Sequence, residues 1–188
     1  MSEKGKLRKA IKKEARNLVK ENRWNLVLGN LVVGSASASS SYGVGLILTG
    51  PLTLGLANYE LKLLRNEESN TGDLFKGFKN FGIAVVLYLL EFIYLCLWTL
   101  LFIIPGIIKS YSYAMSFYIL KDNPEMEAKE AITKSREMMK GHKWELFVIQ
   151  LSFIGWILLT MLTFGILGVF FVGPWMNLTY AKFYESIK

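Results

Sequence analysis

FGIAVVLYLLEFIYLCLWTLLFIIPGIIKSYSYAMSFYIL, residues 81–120, runs for 40 residues with only two charges, Glu91 and Lys109. A helix needs roughly 20 residues to cross a ~30 Å hydrocarbon core, so this stretch is too long for one crossing and fits two. Trp24–Tyr59 and Leu146–Ala181, 36 residues each, carry no charge at all. Soluble helices keep a polar face with charges every few residues, and these stretches have none. The fold expected is therefore all-α: a polytopic membrane helical bundle of about six transmembrane helices in three hairpins, with amphipathic cytoplasmic helices between them.

The division that follows is a basic amphipathic segment, 1–23, and one transmembrane domain, 24–188. Its hairpins cover about 24–60, 80–120 and 144–185, and its cytoplasmic connectors are 61–79 and 121–143. The connectors orient the chain. With the N-terminus inside and six crossings, the cytoplasmic segments 1–23, 60–80, 121–145 and 182–188 hold 21 of the 22 Lys and Arg residues, and Lys109 alone is left over. Excess Lys and Arg in short loops marks the cytoplasmic side. Both termini are expected inside a plasma membrane. Ala36-Ser37-Ala38 resembles a signal-peptide cleavage site, but the long basic region ahead of it argues for a retained first crossing.

Segment 1–23 carries nine of the basic residues against three glutamates, a net +6 out of the protein's +7. Leu7, Ala10, Ile11, Ala15 and Leu18 recur at helical spacing, so a helix lying on the membrane is expected. Its polar face would offer Lys9, Lys12, Lys13, Arg16, Lys20 and Arg23 to anionic lipids. Nucleic acid is not an expected partner, because no aromatic residue interleaves the basic run as a stacking surface. The 122–143 connector reads as a second surface helix, with Asn123 as cap, Pro124 at its first position and Gly141 as its stop. Ala128, Ala131, Ile132, Ser135, Met138 and Met139 form its apolar or small face.

Each hairpin places a Gly/Pro pair ahead of a Tyr-bearing helix: Gly50-Pro51 before Tyr59, Pro105-Gly106 before Tyr113, and Gly173-Pro174 before Tyr180 and Tyr184. The spacing is loose, a weak triplication. These pairs are helix-break candidates, since proline frees a carbonyl and kinks a helix; shaping the packing of short hairpins is the plainer reading. The middle hairpin lacks a polar turn. A turn at Pro105-Gly106 leaves a returning helix of about 14 residues, roughly 21 Å and short of a full span.

Glu91 and Lys109 are the intramembrane charge candidates, as a pair, or with Glu91 carrying a proton, or with Lys109 reaching the outer headgroups. Ser110 and Ser112 beside Lys109 suggest a serine–lysine nucleophile, yet sequence neighbours do not supply the geometry it needs. His142 is the only histidine and Cys96 the only cysteine, so triads, disulfides and metal ligand sets lack members. No catalytic residue, metal or cofactor is expected, and the chain is read as a non-enzyme.

LWTLLFIIPGIIKSYSYAMSFYILKDNP (97–124), EAITKSREMMKGHKWELFVIQLSFIGWILL (130–159) and the final GP…FYE (173–185) resemble an uncharacterised bacterial integral membrane family, the one with domain-of-unknown-function label 975. More distantly they are similar to the membrane domain of some glycerophosphodiester phosphodiesterases, whose catalytic barrel has no counterpart here. The resemblance implies a bacterial cell-membrane protein with no assigned substrate. Three functions are open: binding or regulating membrane components, a protein partner or a second copy through the basic face; a small transporter using Glu91 and the Gly/Pro breaks; and a membrane hydrolase at Ser110 or Ser112.

Overall fold

A computed structural model of the chain describes residues 3–38, 44–101 and 103–188. It is all-α. The helices are α1 (Glu3–Glu21), α2 (Arg23–Ala38), α3 (Val44–Leu64), α4 (Phe81–Leu101), α5 (Ile103–Tyr113), α6 (Ser116–Asp122), α7 (Ala128–Met138), α8 (Lys143–Leu151), α9 (Ile154–Leu162) and α10 (Gly173–Ile187). A 3-10 segment, Thr71–Asn80, leads straight into α4, and a π segment, Gly168–Val172, leads into α10. Two helical runs are long and apolar enough to cross a membrane, Thr71–Leu100 and Lys143–Leu162.

Each uncharged stretch contains a helix followed by a proline-bearing one, and α2 packs on α3 and α4 on α5. The turn expected over 34–43 falls partly on residues 39–43, which lie outside the described residues. In the third stretch the chain turns at 163–165, where Phe164 and Gly165 take positive φ values of 51° and 85°. The apolar ends of these runs are open: Leu100 is 86% exposed, Leu162 77% and Phe164 97%. Water would penalise such a surface at about 25 cal/mol per Å²; lipid would not.

A polar helix precedes each pair: α1 before α2–α3, segment 71–80 before α4–α5–α6, and α7 before α8–α9–α10. Each of these packs on the last helix of the preceding unit. Segment 71–80 lies on α3, α7 on α6, and α1, first in the chain, on α10, the last. The three units thus close into a ring. On α1, Ile11, Ala15 and Val19 are buried beneath that contact, and the Trp175 indole N–H donates to the Lys12 carbonyl at 2.9 Å. Of the face read as membrane-facing, Ile11 and Ala15 are therefore covered by protein, while Leu7 and Ala10 stay exposed.

Where segment 71–80 crosses α3, two glycines let the backbones touch: a Cβ on Gly55 would meet the Leu74 carbonyl, and one on Gly77 would meet the Pro51 carbonyl. Gly50 similarly faces the Ala84 carbonyl of α4, and Gly106 faces Thr99 across the α4–α5 turn. Of the prolines, only Pro51 lies well inside its helix; Pro105 and Pro174 fall in the first turns of α5 and α10. Pro174 follows directly on the π segment 168–172 within one continuous helical run, so a wide helical turn stands beside the N–H that proline lacks.

The return of the middle hairpin is interrupted, as α5 ends at Tyr113 and α6 begins at Ser116. Ser135 of α7 closes the break. Its hydroxyl donates to the Ser112 carbonyl at 2.8 Å and accepts the Met115 N–H at 3.2 Å. The surface helix α7 itself begins at Ala128, four residues after Pro124. Asn123 does not cap it: its side chain turns back to the Ile119 carbonyl at 2.9 Å and finishes α6. The face expected of α7 does turn inward, with Ala128, Ala131, Ile132, Ser135 and Met139 buried, and Gly141 ends the region at φ 82°.

Candidate functional site

The sequence sets Lys109 apart from the other cations, and the fold brings it back to them. On α5 its ammonium sits 4.4 Å from the centre of the Trp98 ring of α4. Facing it from α7 are Lys129, Thr133 and Arg136. Spacings of four and three place these three on one side of the helix. With Tyr94, Tyr113 and Ile132 they enclose a cavity of about 190 Å³. No acid lines it, and none of its three cations is ion-paired among the described residues.

Several other cations do meet carboxylates: Lys4 meets Glu145 at 2.6 Å, Lys182 meets Glu14 at 2.6 Å, and Lys62 and Lys76 share Asp73. Three like charges around one small space repel each other, and nothing in the fold repays the repulsion. An anion would. Ammonium and guanidinium groups beside the tyrosine hydroxyls form a set of donors suited to phosphate oxygens, while the Thr133 hydroxyl donates to the Lys129 carbonyl at 2.9 Å. The site also opens where α4 and α5 present apolar surface, with Ile107 and Ile108 exposed next to Lys109.

The other predicted basic residues are placed differently. Lys12 turns inward, donating to the Ser152 hydroxyl at 2.7 Å and lying 4.0 Å from the Phe153 ring centre; burial lowers its ammonium pKa. Arg16 lies over Trp175, 5.5 Å from its centre. Lys9, Lys13, Lys20 and Arg23 are exposed. Arg8, Lys9 and Lys12 border a groove of about 370 Å³ whose other wall is Val148 and Ile149 of α8. Trp24 and Trp144 stand exposed at the starts of α2 and α8, beside Arg23 and Lys143, the position favoured at a membrane–water boundary.

Glu91 is not brought to Lys109. It lies within hydrogen-bonding reach of Ser116, and its Oε1 is enclosed without a partner. Ser110 and Ser112 donate to carbonyls of their own helix, Ile107 at 2.7 Å and Ile108 at 3.0 Å. No group of metal-ligating side chains occurs among the described residues. Of the Gly/Pro positions, Gly173 borders a cavity with Asn30 and Gly168; the rest serve helix starts and close approaches.

Sequence reasoning missed the junction where α3, α6 and α10 end. Arg65 donates two bonds to Asp122, at 2.9 and 2.8 Å, and two to Glu185, at 3.1 and 2.6 Å. Tyr184 and Lys188 also donate to Asp122, at 3.0 and 2.6 Å. Burial alone would raise the Asp122 carboxyl, but the bonds from Arg65, Lys188 and Tyr184 outweigh it and hold the pKa well below the usual range. Also missed was Glu60, 1% exposed at the end of the first uncharged stretch.

The C-terminal part of the chain, which carries Lys109, Lys129 and Arg136 of the cation pocket and Asp122 of the junction, resembles a known family. Residues 100–188 match the model of a protein family of unknown function (DUF975). No curated protein matches the chain, and no solved structure does. Nothing matched links it to glycerophosphodiester phosphodiesterases.

Proposed function

We propose that this is a six-crossing plasma-membrane protein, with both termini cytoplasmic, that binds anionic phospholipid headgroups at its inner face and performs no catalysis. The observation that carries the reading is the pocket of Lys109, Lys129 and Arg136, unpaired cations held by two membrane-facing helices and one surface helix. It brings the one cation left over by the sequence count beside two cations of the 121–143 connector. The groove between α1 and α8 supports the reading too, with cations on one wall and aliphatic side chains on the other. A phosphate at either place leaves acyl chains against apolar surface.

Each Lys or Arg near an anionic leaflet contributes about 1 kcal/mol, or roughly fivefold in affinity, so three together supply about a hundredfold. The test is native mass analysis of the full chain from nanodiscs containing phosphatidylglycerol and phosphatidylcholine in equal amounts. Wild type should retain phosphatidylglycerol preferentially, and added salt should weaken that preference. Combined Lys109→Gln, Lys129→Gln and Arg136→Gln should remove most of it. An undiminished preference in the triple variant rejects the pocket as the lipid site.

A further inference from the structure

A second cavity lies at the centre of the ring, far from any connector cation in chemistry. It measures about 240 Å³ and is walled by α2, α3, α6 and α10. Glu60 of α3 lines it, buried to 1% exposure, with Oε2 accepting the Tyr118 hydroxyl at 3.0 Å. Its Oε1 is buried and has no hydrogen-bond partner. A carboxyl so enclosed is costly until its remaining oxygen is satisfied. No lysine or arginine lines the cavity to satisfy it. The protein thus holds an acceptor for a positive charge and supplies none.

The rest of the wall narrows the kind of cation. Thr53 brings a hydroxyl, and Asn177 brings a carboxamide whose nitrogen donates to Asn30 Oδ1 at 2.7 Å and whose oxygen can accept. Phe117, Tyr118 and Tyr180 bring aromatic rings. Hard divalent ions want six or more oxygen ligands, which this wall does not hold. A primary ammonium has three N–H donors, equal in number to Glu60 Oε1, Thr53 Oγ1 and the Asn177 carbonyl. Aromatic rings attract such a cation and also cover an alkyl or aryl stem. The volume is below that of drug-sized pockets. We infer that the Glu60 cavity binds a small primary organic ammonium, its charge against Glu60 and its apolar stem against the three rings. This site is independent of the lipid pocket: it stands if that pocket fails, and the reverse.

The experiment uses the purified full chain in neutral-lipid nanodiscs and follows its thermal midpoint as n-butylammonium chloride is added. Sodium chloride controls for ionic strength, and n-butanol for the uncharged stem. A saturable rise with butylammonium alone is expected. Glu60→Gln should weaken apparent affinity at least tenfold; Phe117→Leu, which keeps every acceptor, should weaken it about fivefold, and Thr53→Val by a similar factor. A response to butylammonium no larger than that to sodium or butanol overturns the proposal, as does an unaltered response in Glu60→Gln. If Glu60→Gln does not fold, the other two variants decide: weakening in both upholds the site, and unchanged affinity in either overturns it.

Discussion

Two clusters in this protein draw on the same cationic side chains, lysine and arginine, and have opposite characters. At the ends of α3, α6 and α10, Arg65 and Lys188 converge on Asp122, and Glu185 completes the set. At the meeting of α4, α5 and α7, Lys109, Lys129 and Arg136 converge on an empty-centred cavity with no acid in its wall. In the first cluster each donor has an internal acceptor, so its energy is spent on joining three helices of the ring. In the second the acceptor has to come from outside. Whether cations serve structure or recognition is thus decided by what faces them, and residue type alone does not reveal it.

The largest effect should come from breaking the satisfied cluster. Asp122→Ala strips Arg65 of its two-point partner and leaves Tyr184 and Lys188 without their acceptor. Removing one member of a buried pair costs about 3 kcal/mol, and a chain of this size then loses roughly 6–12 °C in thermal midpoint. A loss under a degree would demote the junction to surface ornament. The pH response has a definite sign. Because the folded pKa of Asp122 is depressed, its stabilisation is complete above the ordinary carboxylate range near 4 and is lost as pH falls below it. Stability of wild type should therefore decline with acid more steeply than that of Asp122→Asn.

Of the second cluster the sequence singled out Lys109 alone, and it hid the meeting with Lys129 and Arg136. Charge segregation exposes the helical stretches because lipid-facing helices exclude charge, and the small-residue face of α7 was legible by its period. The ring was not. It depends on α1 reaching α10 across the whole chain, and no local pattern encodes a contact of that range. Lys109 looked like an outlier because the uncharged stretch was divided evenly into two crossings. What the run of residues does not reveal is that α5 is a short helix of 11 residues whose last turn lies against α7. Asn123 misled for a local reason: the residues DNP suit the start of one helix and the end of another, and the Ile119 carbonyl won. Glu60 was overlooked because it sits one residue beyond an uncharged run, where an acid ordinarily marks the return to water; the closing helices α6 and α10 bury it instead.

An intermediate effect separates the clusters by their arginines. Arg65→Gln should destabilise the protein by about 2–3 kcal/mol, since Asp122 would stay buried without its main partner. Arg136→Gln removes an exposed side chain that pairs with nothing, so stability should stay within about 0.5 kcal/mol or rise slightly as like-charge repulsion is relieved. Its cost should appear in lipid binding, about fivefold less phosphatidylglycerol preference. Thermal melts of both variants, with and without phosphatidylglycerol, make the contrast direct. Equal destabilisation of the two would show that Arg136 has an internal partner after all.

The smallest effect tests how the lipid pocket is held ready. Lys109 is a long, flexible side chain, and the Trp98 ring 4.4 Å away is what fixes its ammonium over the cavity. A cation–ring contact at a part-exposed site is worth about 0.5–1 kcal/mol. Trp98→Leu keeps every charge and much of the apolar volume, so the salt dependence of phosphatidylglycerol retention should be unchanged while its strength falls about two- to fivefold. Trp98→Phe, which keeps a ring, should recover part of the loss. If Leu and Phe behave alike, the tryptophan matters only as bulk, and the lysine is positioned by its cationic neighbours on α7 and by the anion itself.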